Sequence, residues 1–233
     1  MELGKFPNIS YGVRMEAPGP LRAVRSWEEA LPDDSSDGDV LEAMLLTAGE
    51  QGYAKATVRE VADRARITQN RFHARFGSKE ACFALAYEGA AERLFSQLLE
   101  ACRGAGSWRE GFRAGLAELL RFVAEQPLLA KALLLEVRAA RGQAWVTHQQ
   151  IVERLTAALD TAREEPGARA GSTPMTAGFI AGAIEEALCM EIAAGRAADA
   201  ERLLGDLTRL AFLQLFGEEE DLPTESVADP HGR

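Results

Sequence analysis

The sequence predicts an all-α protein, with a small three-helix N-terminal domain, a larger helical C-terminal domain and about nine helices in all. Three observations support this fold class. Alanine, leucine, arginine and glutamate, which favour helices, dominate the 233 residues. Apolar residues recur at helical spacing in several long stretches, and proline is sparse after residue 32. No stretch alternates for long enough to indicate a strand.

Composition divides the chain into four segments. Residues 1–38 hold four of the nine prolines and the polar run PDDSSDGD, so we expect a flexible N-terminal extension there. Residues 39–80 are expected to form the small domain, and residues 81–217 the larger helical domain. Residues 218–233 are rich in glutamate and aspartate and predict an acidic, disordered tail.

The composition also argues against several classes of protein. No window of 18 apolar residues occurs, so we expect a cytoplasmic protein without a membrane partner. The three cysteines are widely separated and the three histidines lack metal-ligand spacing, so no metal site is predicted. Because a glycine-rich phosphate loop and a nucleophile motif are missing, no catalytic residue or cofactor is predicted, and an all-α enzyme is the weaker alternative.

Helix start signals define the small domain. An apolar stretch with helical spacing begins at Asp39. Thr57 and Glu60 have the spacing of a capping box, which predicts the start of a second helix. Thr68 can cap a third helix and Ser78 a fourth. Three short helices in about 40 residues therefore precede the longer helices.

Similar signals begin the helices of the larger domain. Ser107 and Glu110 form another capping-box pair. The dipeptide Thr173–Pro174 combines a helix cap with a proline suited to a first helical turn. A last helix is expected over about 197–216.

The second and third helices have the spacing of a helix-turn-helix, in which two helices cross over a tight turn. Ala62 is the small residue at the crossing, Ile67 fills the turn, and Phe72 anchors the second helix of the motif. The outer face of that helix then carries side chains that can read base edges or hold phosphate: Gln69, Asn70, Arg71, His73 and Arg75.

Charge is concentrated at this motif. The whole chain has a net charge of −10, but seven lysines and arginines between residues 55 and 79 face only two acids. The local charge of +5 can attract a DNA backbone that the overall charge would repel. For each polar residue taken alone, a solvated helix face remains the alternative.

The stretch TVREVADRARITQNRFHARFGSKEA, preceded by GEQGY, resembles the DNA-binding domain of the tetracycline-repressor (TetR) family over roughly residues 39–82. The resemblance implies that Thr57 and Lys79 bind DNA phosphates at the starts of their helices. It implies groove contacts by Thr68, Gln69, Arg71 and His73, and a weaker contact by Tyr53. Thr57 and Thr68 are helix caps in either case.

Two departures from the family pattern bear on the motif. Arg66 stands in the turn where the family usually has glycine. If the backbone is left-handed there, a side chain costs about 1–2 kcal/mol, which an added cation near DNA can offset. His73 replaces the usual phosphate-contacting tyrosine, and packing on the turn is its alternative role.

The resemblance also implies a small-molecule effector in the larger domain and a dimer interface made by its last two helices. Ordinary core packing is the alternative for the candidate effector contacts, and burial within one chain is the alternative for the interface. The candidate effector contacts are Trp108, Phe112, Trp145 and His148. The candidate interface residues are Gly178, Ala181, Gly182, Ile184, Leu188, Leu207 and Leu210.

These patterns together predict a homodimeric transcriptional regulator, a repressor that binds a palindromic double-stranded DNA operator and is released by the effector. A non-specific architectural DNA-binding protein is the alternative, since it would carry the same local positive charge.

Overall fold

The N-terminal domain consists of three helices in a computed structural model that describes residues 35–217. They are α1 (Ser35–Gln51), α2 (Val58–Arg64) and α3 (Gln69–Phe76). Thr57 and Thr68 cap α2 and α3 with their hydroxyls, as predicted. Most of the expected extension and all of the expected tail lie outside the described residues.

The larger domain begins with α4 (Lys79–Arg103), which Ser78 caps, and α5 (Trp108–Glu125), which Ser107 caps. A continuous helical run follows, and its middle is one π-helical segment. The run comprises α6 (Pro127–Lys131), the π-helical segment (Ala132–Glu136) and α7 (Val137–Ala140).

The remaining helices are α8 (Gly142–Asp160), α9 (Pro174–Ala193) and α10 (Leu204–Leu215). Short 3-10 helices, Thr161–Glu164 and Ala197–Leu203, follow α8 and precede α10. With the run 127–140 counted as one helix, residues 35–217 contain nine α-helices and no strand, so the all-α prediction is confirmed.

Two boundaries differ from the sequence prediction. Helix α1 starts at Ser35 rather than Asp39, so the small domain extends into the segment predicted to be flexible. Asp37 in its first turn pairs with Arg75 of α3, which ties the start of α1 to the helix-turn-helix. The predicted helix over 197–216 begins as a 3-10 helix and becomes α-helical only at Leu204.

One core joins the two domains. Phe72 of α3 and Met44 of α1 are fully buried beside Phe83 of α4. Because α4 contributes to both domains, a movement of α4 must reach the helix-turn-helix. A second core is built by α5, α9 and α10, with Phe212 and Ile180 fully buried.

No helix within residues 35–217 is both long enough and apolar enough to span a membrane.

Candidate nucleic-acid interface and buried cavity

The turn between α2 and α3 has the geometry that the sequence suggested. Ile67 N–H donates to Ala62 O (2.9 Å), and Arg66 N–H donates to Asp63 O (3.2 Å). Arg66 adopts a left-handed backbone with φ 56°, the conformation expected where the family has glycine. A side chain in this region costs about 1–2 kcal/mol, so the turn is strained at a position that points to solvent.

Helix α3 separates its apolar and polar sides. Phe72 and Phe76 are buried and their rings pack 5.4 Å apart, centroid to centroid. The five polar residues predicted for the outer face are all exposed: Gln69, Asn70, Arg71, His73 and Arg75. The helix therefore presents a continuous polar surface that the buried phenylalanines hold in place.

Intramolecular contacts orient part of this surface. The Arg75 guanidinium pairs with Asp37, and Arg64 of α2 pairs with Glu50 of α1. The Nδ1 atom of His73 lies 3.1 Å from Gly77 O, at the end of α3. His73 is therefore exposed and also contacts the C-terminal end of its own helix.

The N-terminus of α2 is already capped by a carboxylate. Thr57 Oγ1 donates to Glu60 Oε2 (2.7 Å), and the Thr57 backbone N–H donates to the same oxygen (2.9 Å). These hydrogen bonds lower the pKa of Glu60 below its ordinary value. A DNA phosphate at Thr57 would have to displace or accommodate this carboxylate.

The structure corrects the prediction for Tyr53 and adds a role for Lys79. Tyr53 is only 6% exposed and packs on Phe83 (centroids 4.8 Å apart), so its ring is not offered to DNA. Lys79 Nζ donates to Tyr53 O (3.0 Å) and Ala56 O (3.1 Å), and it lies 4.4 Å from the centre of the Tyr53 ring. The ammonium group thus braces the connection between α1 and α2.

A cavity of about 180 Å³ lies inside the larger domain, between α4, α5, the π-helical segment, α8 and α9. Trp108, Phe112 and His148, three of the four residues predicted as effector contacts, line it, and their contact with an effector stays a prediction. Trp145 does not line the cavity, which corrects the fourth. Its ring stacks on His148 from outside, with the centroids 4.9 Å apart.

One end of the cavity carries a polar cluster in which Tyr87 and His148 are buried, Glu185 is half-buried and Arg138 is exposed. Tyr87 Oη and His148 Nδ1 are 2.9 Å apart, and His148 Nε2 lies 3.3 Å from Glu185 Oε1. Arg138 Nη2 donates to the same Glu185 oxygen (2.9 Å). Burial alone would raise the pKa of Glu185, but the hydrogen bonds from His148 and Arg138 outweigh it and lower that pKa. Burial raises the pKa of Tyr87, which therefore keeps its proton.

One hydrogen bond, beside the shared core, links the π-helical segment of the cavity wall to the N-terminal domain. Leu133 and Leu134 of the π-helical segment line the cavity, and Glu136 closes the same segment. Glu136 Oε2 accepts a hydrogen bond from Tyr53 N–H at 2.7 Å, across 83 residues of sequence. Sequence reasoning missed Glu136, Tyr87 and Glu185, because each looks like an ordinary helix residue outside any motif.

The last two helices expose an apolar surface. Met175, Phe179 and Met190 of α9 are 80%, 73% and 62% exposed. Leu210 and Leu213 of α10 are each 40% exposed. We call these five residues the α9–α10 apolar surface.

The residues predicted for a dimer interface divide between the two sides of these helices. Gly182 and Leu210 are exposed, whereas Gly178 and Ala181 are half-buried. The prediction is wrong for Ile184, Leu188 and Leu207, which pack in the second core of the same chain. Helix α9 is apolar on both faces, and its isoleucine stripe faces inward.

No group of three or more histidine, cysteine, aspartate or glutamate side chains in residues 35–217 is arranged to hold a metal ion.

Comparison with known proteins places these features in a family. Residues 41–86 match the family model described as bacterial regulatory proteins, tetR family. No curated protein matches the chain.

Solved structures share the fold at low sequence identity. The fatty acid degradation regulator FadR from Bacillus halodurans has a TM-score of 0.66 at 16% identity, covering 74% of this chain and 96% of that one. FadR from Bacillus subtilis, in complex with stearoyl-CoA, gives the same TM-score, identity and coverage. SmeT, the repressor of the Stenotrophomonas maltophilia multidrug efflux pump SmeDEF, has a TM-score of 0.66 at 17% identity, covering 84% of this chain and 97% of that one.

These likenesses concern the fold alone, whereas the match over residues 41–86 covers the helix-turn-helix itself. Residues 41–86 thus match the DNA-binding domain of the tetR family of bacterial regulatory proteins, in a chain whose all-helical fold regulators such as FadR and SmeT share.

Proposed function

We propose that this regulator is a homodimeric repressor that binds a palindromic operator and dissociates when a small molecule occupies the cavity. The observation that carries the proposal is the exposed polar face of α3, held outward by the fully buried Phe72. A regulator of this kind works on DNA in the cytoplasm.

The chemistry of α3 suits the major groove. Arg71 can bond guanine edges, while Gln69 and Asn70 can bond adenine in a bidentate manner. His73 and Arg75, further along the helix, are placed for the backbone. Thr57, Thr68 and the start of α4 at Lys79 flank this face and would add phosphate contacts through hydroxyl and backbone N–H groups.

A dimer would cover the α9–α10 apolar surface. Large apolar side chains that are 62–80% exposed on one face of a helix favour association, because burying each contributes about 1.5–3 kcal/mol. Gly182 on the same face leaves open space, with no atom within 4 Å of a Cβ built there, so a partner helix can approach closely. A two-fold dimer places two α3 helices on half-sites about one DNA turn apart, or multiples of a turn.

The cavity supplies the regulatory site. Its wall is almost entirely apolar, so the cavity favours ligands with a large apolar part. The B. subtilis FadR structure contains stearoyl-CoA, which supports a ligand-responsive role for a chain of this fold.

In the proposed switch, a ligand that displaces Leu133 or Leu134 moves Glu136 and, through it, Tyr53. Coupling of about 1–3 kcal/mol between the two sites changes operator affinity about 5- to 150-fold.

Selection of bound fragments from a random DNA pool tests the proposal. We expect a palindromic sequence that binds about 10³-fold or more tighter than random DNA at the same salt concentration. Arg71→Ala should then weaken binding to that sequence by about 1–3 kcal/mol and relax preference at one base position.

Equal affinity for selected and random DNA would refute the proposal that the protein binds a specific operator sequence. It would favour the architectural alternative. Turnover of a substrate by the purified protein would instead favour the enzyme alternative.

A further inference from the structure

The cavity is long and has one polar end. Its lining on α8 runs from His148 to Leu159, which corresponds to about 16 Å at 1.5 Å per residue. On α4 it runs in the same direction from Tyr87, which contacts His148, to Cys102. At the far end the Trp108 indole N–H is already donated to Thr161 Oγ1 (3.0 Å). This shape suits a slender ligand with an apolar body and one polar group.

Contacts within the polar cluster engage the side chains of Tyr87 and His148. Tyr87 Oη lies 2.9 Å from His148 Nδ1, and His148 Nε2 lies 3.3 Å from Glu185 Oε1. Both ring nitrogens of His148 are therefore occupied inside the protein.

Acceptor capacity remains at the same place. The contacts of His148 and Arg138 within residues 35–217 both fall on Glu185 Oε1, which leaves Oε2 to accept a bond. The phenol oxygen of Tyr87 can also accept a hydrogen bond. Both side chains line the cavity, and we take these two oxygens as the acceptors that a ligand meets.

The charges around the cavity disfavour an anion. The lining residues that the structure describes include Glu185 but no lysine or arginine. Arg138 is not part of the lining and lies beyond Glu185, where it also approaches Glu186 (3.6 Å). A carboxylate buried in the cavity would find no lysine or arginine in the lining and would face the negative charge of Glu185, which is unfavourable.

We propose that the effector is a slender amphiphile whose polar group donates a hydrogen bond, as a hydroxyl or amine does, to Glu185 and Tyr87. Carboxylates of the same length are rejected. The proposal rests on the proposed function only in taking the cavity as the effector site. It concerns the ligand class that this site selects.

Four probes with nearly the same chain length separate the possibilities: 1-octanol, octylamine, octanoate and heptyl methyl ether. Binding to the full chain without DNA is measured by calorimetry and by the change in tryptophan fluorescence, to which Trp108 in the cavity wall contributes. We expect octanol and octylamine to bind at least about tenfold more tightly than octanoate. The ether matches octanol but lacks the donor hydrogen, so it should also bind about tenfold more weakly than octanol.

Substitutions identify which side chain selects among the four probes. Glu185→Gln should reduce the preference for octylamine over octanoate about tenfold or more. Tyr87→Phe, which keeps the ring, should reduce the preference for octanol over the ether. Glu153→Gln, at an exposed position of α8, is the matched control and should leave every preference unchanged.

The outcomes distinguish the two proposals. Octanoate binding as tightly as octanol would overturn the donor requirement and leave the cavity as a ligand site. Unaltered preferences in a folded Glu185→Gln protein would also overturn the proposed selection by Glu185. If none of the four probes bound, both the donor requirement and the effector site in this cavity would be refuted, while operator binding would be unaffected.

Discussion

Replacing Glu136 should weaken both the stability of the protein and its regulation. Its carboxylate accepts the backbone N–H of the buried Tyr53 at 2.7 Å. A hydrogen bond to a charged group contributes about 1.5–3 kcal/mol, and an unsatisfied buried N–H costs about 1–3 kcal/mol. We therefore expect Glu136→Ala to lower the free energy of unfolding by about 2 kcal/mol.

Glu136→Gln separates charge from hydrogen bonding. The amide keeps an oxygen acceptor, but a neutral hydrogen bond is roughly half as strong as a charge-assisted one. We therefore expect Glu136→Gln to lower the free energy of unfolding by about 1 kcal/mol. Glu153→Ala, at an exposed site on α8, should change stability by no more than about 0.5 kcal/mol.

Two assays measure these effects. Urea unfolding followed by circular dichroism gives the change in stability. Fluorescence anisotropy of a labelled operator, with and without the octyl ligand that binds most tightly, gives the coupling between ligand binding and operator binding. In Glu136→Ala the ligand should still bind, but it should reduce operator affinity by a smaller factor. Stability equal to that of Glu153→Ala, or full ligand response, would refute the role of this contact.

Three other substitutions test separate features. Arg66→Gly should raise the free energy of unfolding by up to about 1 kcal/mol, because relief of the left-handed strain exceeds the cost of the added chain flexibility. The loss of the Arg66 charge should weaken DNA binding and reduce the salt dependence of that binding. A melting temperature below that of the unaltered protein would contradict the first expectation. Phe179→Glu should give a folded monomer in analytical ultracentrifugation. Leu85→Glu, also at an exposed apolar position, should remain a dimer. A dimeric Phe179→Glu protein would exclude the α9–α10 apolar surface as the dimer interface. Glu191→Gln should lower stability near pH 7 and flatten the loss of stability in acid, as measured by thermal unfolding at several pH values. Hydrogen bonds from Arg196 and Arg202 lower the pKa of Glu191 to about 2. Its contribution to the free energy of unfolding is therefore complete above the ordinary carboxylate pKa and disappears as the pH falls towards 2. Parallel curves of melting temperature against pH for the two proteins would contradict this assignment.

Local signals predicted the helix starts well, because a cap depends on residues three apart. Thr57 accepts the N–H of Glu60, and Ser107 accepts that of Glu110, as their spacing indicated. The position of the turn was indicated by the same local spacing, and the left-handed backbone of Arg66, which the sequence left as one possibility, is observed there. Each of these features is decided within one or two helical turns.

Features that depend on distant contacts were not predictable. Tyr53 looked like a surface residue, but Phe83, Glu136 and Lys79 enclose it from later helices. The isoleucine stripe of α9 had the correct periodicity for an interface. A helix that is apolar on both faces gives no local sign of which face meets the rest of its own chain.

The position of Tyr53 also explains why the Lys79 ammonium group is engaged within the chain. Glu136 holds the Tyr53 N–H and Lys79 holds the Tyr53 carbonyl, so the peptide segment at this residue is fixed from both sides. Lys79 also bonds Ala56 O, directly before the Thr57 cap of α2. In the proposed switch, a shift of the π-helical segment therefore reaches the start of α2 and the start of α4 together. Because α3 is packed between these two helices through Phe72 and Phe76, it must reorient with them. Two helix-turn-helix units reoriented in this way would no longer match the spacing of a palindromic operator.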